Sequence, residues 1–278
     1  MSKTAAAAAS PHRTSLPPAD PRRYAPTPER PLRGKARLME NQMDIQPHHH
    51  EWGQLVFSIS GAVRVSTSAH TYIVPPSRAV WIPRRVVHAV SAIERAHLRT
   101  LYLHSRLTDG DATWSHSRVL EVSPLLRELV LQLPLDPEAP PATPAERERE
   151  RCITHLVVDE LGRARSLRLG VALPQDKRLR RLCEAMIAAP ARHQALADWA
   201  AEVGASERTV SRLFREQLGT GYAQWRTQVL LAHALSMAAK QKPMSHIAAE
   251  LGYASASAFS AMVTRTVGMP PSRFFAEA

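Results

Sequence analysis

Two copies of one spacing pattern in the last hundred residues constrain this chain more than any other feature. In the first copy Leu196, Trp199, Ala200 and Val203 stand at i, i+3, i+4 and i+7. Gly204 follows, and Ser206 opens a second run with apolar positions Val210, Leu213 and Phe214. In the second copy Met244, Ile247, Ala248 and Leu251 keep the spacing, ahead of Gly252, Ser255 and the apolar positions Phe259, Met262 and Val263. The offset is 48 residues before the turn and 49 after it, and the closing glycines Gly219 and Gly268 keep the 49. Each unit predicts an amphipathic helix, a tight turn whose glycine adopts positive φ, and a second helix capped by serine. That is helix-turn-helix geometry.

The stretch joining the copies, about Tyr222 to Ala239, predicts one more helix. It spans about 25 Å at 1.5 Å per residue, enough to hold two recognition helices near one DNA turn, about 34 Å, apart. Charge agrees with this. The net charge is +11, divided as +6 in residues 1–37, −1 in residues 38–176 and +6 in residues 177–278. Counterion release rewards Lys and Arg clustered against phosphates, so a basic end beside a neutral middle points to a polyanion-binding end and a core with another task. Two cysteines, Cys152 and Cys183, are too few for a disulfide scaffold or a Cys-based zinc site and fit a reducing compartment. No apolar run approaches the roughly 18 residues of a membrane span, and the Ala5 to Ala9 run is too short for a signal-peptide core. Neither an integral-membrane nor a secreted protein is expected.

Residues 1–37, with seven prolines and scattered arginines, lack apolar periodicity and predict a disordered basic tail. Its deletion is expected to weaken binding to every nucleic-acid sequence alike and to lower the salt slope. In residues 38–109 the short runs Leu55–Ser60, Ala62–Ser66, Thr71–Val74, Ala79–Ile82, Val86–Ser91 and Leu98–Leu103 are separated by Gly61, Pro75-Pro76 and Pro83. They predict an antiparallel sandwich or small barrel. Residues 110–170 turn helical and read as a linker or dimerisation region. There Thr143, Pro144 and Glu146 form a helix-start signature, and Ile153, Leu156, Val157, Leu161 and Ala164 share one face. Intrachain packing and a dimer seam both accommodate that stripe. Gly170 to Asp176, with Pro174, is the expected hinge into a C-terminal domain at 177–276.

The segment Asp198 to Phe275, with LADWAAEVGASERTVSRLFREQLG and IAAELGYASASAFSAMVTRTVGMPPSRFF, resembles the DNA-binding domain of AraC/XylS-type transcription regulators. The resemblance implies a bacterial, cytoplasmic protein that binds promoter DNA sequence-specifically, with RNA polymerase as a partner if it activates. On the first recognition helix the exposed side presents Arg208, Ser211, Arg212 and Arg215. Arg208 and Arg212, four apart, stack on one side and suit bidentate contacts to guanine, while Arg215 suits phosphate. The second recognition helix offers the small residues Ala256, Ser257, Ser260 and Ala261, with Arg265 beyond them. The first helix is therefore expected to supply most base discrimination and the second to dock.

Within the β-rich part, His48, His50, Gln54, Gly61, Pro83 and His88 follow the spacing of the two cupin motifs. Residues two apart on a strand face one side, so His48 and His50 can converge with His88 from a neighbouring strand. Gln54 replaces the usual Glu, Ser77 and Arg85 stand where glycines are preferred, and Ala92 stands where Asn is. Three histidines and an amide suffice for a divalent metal; the alternative is a metal-free pocket that binds a small-molecule effector by hydrogen bonds. His49 is expected at the surface, and Trp52, Phe57 and Trp81 in the core or pocket wall. The run QLVFSISGAVRVSTSAHTYIVPPSRAVWIPRRVVHAV is similar to the cupin domain of the NimR-like subgroup, in which the controlled gene is often a neighbouring efflux transporter.

The expected fold class is α+β and multidomain: an N-terminal cupin-like antiparallel β-barrel, a helical linker, and a C-terminal all-α domain with two helix-turn-helix units. The leading reading is a ligand-responsive DNA-binding regulator, without catalysis, whose partners are double-stranded promoter DNA, an effector and, by its linker, a second copy. Its rivals are a cupin metalloenzyme with an accessory nucleic-acid domain, which the substitutions at Gln54 and Arg85 disfavour, and an effector-free structural DNA-binding protein.

Overall fold

The computed structural model describes residues 14–76, 78–134, 143–167, 169–192 and 195–275. Strands β1 (Thr14–Leu16), β2 (Leu32–Met39), β3 (Met43–His48), β4 (Gly53–Ser60), β5 (Val63–Thr67), β6 (His70–Val74), β7 (Arg78–Ile82), β8 (His88–Ala92) and β9 (Ala96–Leu103) are followed by β10 (Arg118–Glu121), β11 (Ser166–Leu167) and β12 (Val171–Ala172). They form two six-stranded sheets, ordered β1-β3-β8-β5-β6-β12 and β11-β10-β7-β4-β9-β2. All pairings are antiparallel except β1 with β3.

Strand β4 shows why the two sheets face each other. Gln54 to Ser58 is buried throughout. Val56 joins the core between the sheets, with Val65, Val80 and Val90, while Leu55 and Phe57 point the other way into a second core. That second core is closed by helices α2 (Pro124–Gln132) and α3 (Pro144–Arg163), through Leu126, Val130, Ile153, Val157 and Leu161. A strand covered on both faces reads as a continuous apolar run, as QLVFSIS does.

Helix α3 opens with the predicted capping box: Glu146 N–H donates to Thr143 Oγ1 at 3.2 Å, and Thr143 N–H to Glu146 Oε2 at 2.9 Å. Its stripe is mainly intrachain packing. Ile153, Val157 and Leu161 are buried, whereas Leu156 is 46% exposed and leaves the stripe.

Three boundaries differ from the sequence expectation. The expected tail is structured from Thr14, since β1, the short helix α1 (Pro21–Tyr24) and β2 all precede or cross residue 37. Residues 1–13 lie outside the described residues. Deleting 1–37 would remove the edge strand β2, so the experiment would test the barrel rather than the charge. The β domain also reaches beyond residue 109, because β10 pairs with β7 and β11 with β10. The expected hinge is extended chain locked into the first sheet: β12 pairs with β6, and Leu173 N–H donates to Ala69 O at 2.8 Å.

The C-terminal helices are α4 (Lys177–Ala188), α5 (Leu196–Glu202), α6 (Glu207–Leu218), α7 (Tyr222–Ala238), α8 (Met244–Glu250), α9 (Ala256–Val267) and α10 (Pro271–Phe275). Helix α7 is the predicted connector, and its second half is buried almost all round. Its first half packs with α4 to α6 around Trp199, Phe214 and Trp225. Its second half, through Leu230, Leu231 and Leu235, joins α8 to α10 and the inner face of the β-sandwich in one continuous core. The Trp225 indole N–H donates to Ala172 O at 2.7 Å, which ties the connector to β12.

Candidate functional site: a histidine pocket and two helix-turn-helix units

The β3–β8 pairing sets His48 directly opposite His88, with an irregularity between Ile45 and His48, and His50 follows just past the end of β3. The ring centroids of His48 and His88 are 4.4 Å apart, those of His50 and His88 5.1 Å, and those of His48 and His50 5.3 Å. One nitrogen from each ring lies within 4.8 Å of the others. Gln54 joins them, its side-chain amide 3.0 Å from His88 Nε2. All four predicted pocket residues are thus brought together, and His49 is exposed as expected.

Hydrogen bonds orient these rings. Nδ1 of His48 faces Gln46 O at 2.7 Å, and Nδ1 of His88 faces Val86 O at 2.9 Å. A neutral imidazole that donates from Nδ1 to a carbonyl carries its lone pair on Nε2. Burial keeps these rings neutral: His88 is pushed down to about 4 and His50 to about 3, mainly by desolvation, and His48 is lowered for the same reason. A neutral His88 has one N–H, already directed at Val86 O. The Gln54 amide must therefore turn its NH2 to the lone pair of His88 Nε2. His50 Nε2 is buried without a hydrogen-bond partner.

Inward lone pairs from two rings, an unpartnered third nitrogen and a rotatable amide make a donor set that fits a borderline divalent cation such as zinc. Carbonyl-bound Nδ1 atoms are the usual outer support of such ligands. His48, His50 and His88 would hold the ion with Gln54 as an oxygen donor. It would supply Lewis acidity or a fixed positive charge in the barrel.

The folded state holds these imidazoles below their unfolded value of about 6.5, so the unfolded chain binds more protons on acidification. Stability is complete above that value and falls as pH drops towards 4. In protein kept metal-free with EDTA, the unfolding free energy from urea titration should decline from pH 7 to pH 5, by about 2 kcal/mol for each imidazole held neutral. His88→Gln should flatten the decline; a flat wild-type profile would show that the rings titrate normally.

Arg85, at a position where the cupin pattern prefers glycine, retains the glycine backbone with φ +64°. Its N–H donates to His50 O at 2.8 Å, and its side chain pairs with exposed Glu51 at 2.7 Å. Left-handed backbone costs a non-glycine residue about 1 kcal/mol or more, while an exposed ion pair returns less. Arg85→Gly is expected to raise stability by about 1 kcal/mol in urea unfolding. Trp81 lies in the second core, with its indole N–H on Trp114 O at 2.9 Å, and Phe57 beside it, whereas Trp52 stacks on His50 with centroids 5.4 Å apart. Ser77 lies outside the described residues.

The small cavity beside the histidines encloses about 20 Å³ and has a wall that sequence reading missed. It includes Tyr24, Lys35, Arg37 and Tyr102. From Leu32 to Leu38 basic residues alternate with small or apolar ones, which is a strand period. The basic set faces inward with Met39, against the usual rule, and that hid the strand. Burial, with Arg37 nearby, pushes the Lys35 ammonium down to about 8.

In the C-terminal domain both helix pairs form as predicted. Gly204 and Gly252 occupy the turns with φ +63° and +80°. Ser206 accepts from Thr209 N–H and Ser255 from Ala258 N–H, each at 3.2 Å. Gly219 and Gly268 end the second helices in left-handed backbone. On α6, Arg208, Arg212 and Arg215 are exposed and Ser211 is half-buried; on α9, Ser257 and Arg265 are exposed and Ala256 and Ser260 half-buried. Arg212 Nη1 lies 2.6 Å from Glu216 Oε2, an exposed pair one turn apart.

A cupin-like sandwich of two six-stranded sheets with a polar pocket, joined through a shared core to two serine-capped helix-turn-helix units, defines a ligand-responsive DNA-binding regulator. Residues 35–150 match the AraC-like ligand binding domain, and residues 199–277 match a helix-turn-helix domain. The HTH-type transcriptional regulator NimR of Escherichia coli (strain K12) is 31% identical over 229 residues, 82% of this chain and 81% of that protein. The HTH-type transcriptional regulator RipA of Corynebacterium glutamicum is 28% identical over 102 residues, 37% of this chain and 31% of that protein. Among solved structures, ToxT from Vibrio cholerae aligns over 88% of this chain and 98% of its own, with 10% identity and a TM-score of 0.36. The chain belongs to the AraC family of transcription regulators. Among the described residues no helix is long and apolar enough to cross a membrane.

Proposed function

We propose that this regulator reads an operator mainly with α6, docks with α9, and responds to a small molecule seated in the histidine pocket. The observation that carries this reading is the continuous core from the inner sandwich face through Leu230, Leu231 and Leu235 to Phe274 and Phe275. A change in sheet packing caused by a ligand is therefore felt where α9 is held. Such coupling requires that the ligand bind the DNA-competent and DNA-incompetent arrangements unequally.

The relatives are transcription regulators, which argues against an enzyme. By likeness to the NimR-like subgroup, the controlled gene is a neighbouring efflux transporter, and the protein works in the cytoplasm. Leu125 and Leu156, 49% and 46% exposed on the adjacent helices α2 and α3, supply apolar surface for a second copy. RNA polymerase is a partner if the protein activates.

Footprinting on the protein's own upstream region and its neighbour's, with and without candidate ligands, tests the reading. A protected site whose occupancy changes with a ligand supports it; sequence-indifferent binding overturns it.

A second reading, that the barrel holds a divalent metal, is favoured by the unpartnered His50 Nε2. Stoichiometric metal in wild-type protein, lost in His48→Ala, supports it; no stoichiometric metal under reducing conditions overturns it.

A further inference from the structure

Among the described residues several buried side-chain nitrogens lack a hydrogen-bond partner, most of them on separate arginines, but three gather in one place. Arg37 Nη1, Trp52 Nε1 and His50 Nε2 all line the one small cavity beside the histidines. Two of these are obligate donors, since neither a guanidinium nor an indole N–H can accept. A buried donor left unmet loses its hydration without return, so two of them beside one cavity point to a missing acceptor.

Charge gives the same answer. Lys35 and Arg37 face the cavity together from β2, and among the described residues neither forms an ion pair with a carboxylate. Lys35 Nζ sits 5.1 Å from the centre of the Tyr24 ring, so the negative partner it has is an aromatic face. The one carboxylate lining the cavity, Asp20, is exposed and accepts Arg22 N–H at 2.9 Å as the cap of α1. Two like charges side by side with unmet donors are a poor structural arrangement and a good receptor for an anion.

We propose that the effector is a small organic anion, a carboxylate, received by Lys35, Arg37 and the Trp52 indole N–H. This rests on the pocket being the effector site and adds its chemical class. The guanidinium fork and the indole N–H converge on the carboxylate oxygens, and Lys35 leaves the Tyr24 ring to complete the pair. An enclosed volume of about 20 Å³ holds one water-sized species, so the organic part of the ligand enters by displacing Ala19, Asp20 and Tyr24, which line the cavity.

Thermal unfolding of the full chain at constant ionic strength tests this with sodium formate, acetate and benzoate, against formamide, acetamide and benzamide as neutral counterparts. The expected result is a saturable rise in Tm with at least one carboxylate and none with its amide, weakened tenfold or more in Arg37→Gln and in Lys35→Gln. Both variants relieve the like-charge pair, so without ligand each should be at least as stable as wild type. Amides acting as strongly as carboxylates, a rise that survives in both variants, or no rise with any of the three carboxylates overturns the inference. Operator footprinting of the same preparations separates the two levels. A retained footprint with no carboxylate effect sinks the anion class alone, while a carboxylate effect without any footprint sinks the regulator reading alone.

Discussion

Alanine at both Arg208 and Arg212 is expected to lower operator affinity by about 30-fold to 10⁴-fold, the loss of two bidentate base contacts at about 1–3 kcal/mol each. Both side chains are exposed on the first two turns of α6, where a recognition helix meets base edges. Arg212 is engaged by Glu216 at 2.6 Å in the free protein. An exposed i,i+4 pair is worth about 0.3–0.5 kcal/mol, so DNA displaces the carboxylate at little cost, and Glu216→Gln should tighten binding a few-fold. Arg215→Ala and Arg265→Ala should instead weaken operator and scrambled duplex alike and lower the salt slope by about one unit each. Ser257→Ala should change little, because its hydroxyl is 2.9 Å from the cap hydroxyl of Ser255. Gel shifts on both duplexes at several salt concentrations separate these cases. If the Arg208/Arg212 double variant loses affinity equally for both duplexes, α6 grips the backbone and does not read sequence.

What could be read in the sequence follows from how local each signal is. A serine cap, a turn glycine and an i, i+3, i+4, i+7 stripe are complete within one helix, so α5, α6, α8 and α9 were legible almost to the residue. The histidines were legible from their motif spacing, and His88 arrives opposite His48 by strand pairing, although His50 lies just past the end of β3 and not on the strand. Strands whose burial depends on distant partners were not. Strand β2 pairs with β9, about sixty residues away in the chain, and turns Lys35 and Arg37 inward, so the usual polarity rule assigned it to a tail. The dipeptides at β11 and β12 are too short for any period and exist only because β10 and β6 offer open edges. Leu156 fits the α3 stripe by spacing yet points outward, because α2 and the sheet cover a face centred on Val157.

Arg78 shows how one buried cation joins the two halves, and its truncation should lower stability substantially. It is 1% exposed on β7, opposite Glu121 of β10. Nη2 lies 3.4 Å from Glu121 Oε1 and donates across the domain boundary to Phe274 O, also at 3.4 Å. Removing one member of a buried ion pair costs about 3–5 kcal/mol, and Glu121, with its side chain 24% exposed, recovers part of its hydration and brings the expected cost to the lower end. Arg78→Met, which keeps the apolar volume but not the donor, should recover part of that stability without restoring the link to α10. The two variants therefore divide packing from coupling. Urea unfolding should rank wild type above Arg78→Met above Arg78→Ala, while limited proteolysis near Phe274 should rise in both. If the barrel communicates with α9 through this contact, both variants should retain operator binding and lose the change in occupancy that ligand produces in wild type. Retention of that change in Arg78→Met would assign the coupling to the apolar core around Leu231 and Phe275 instead, because the core survives in that variant and the hydrogen bond to Phe274 O does not.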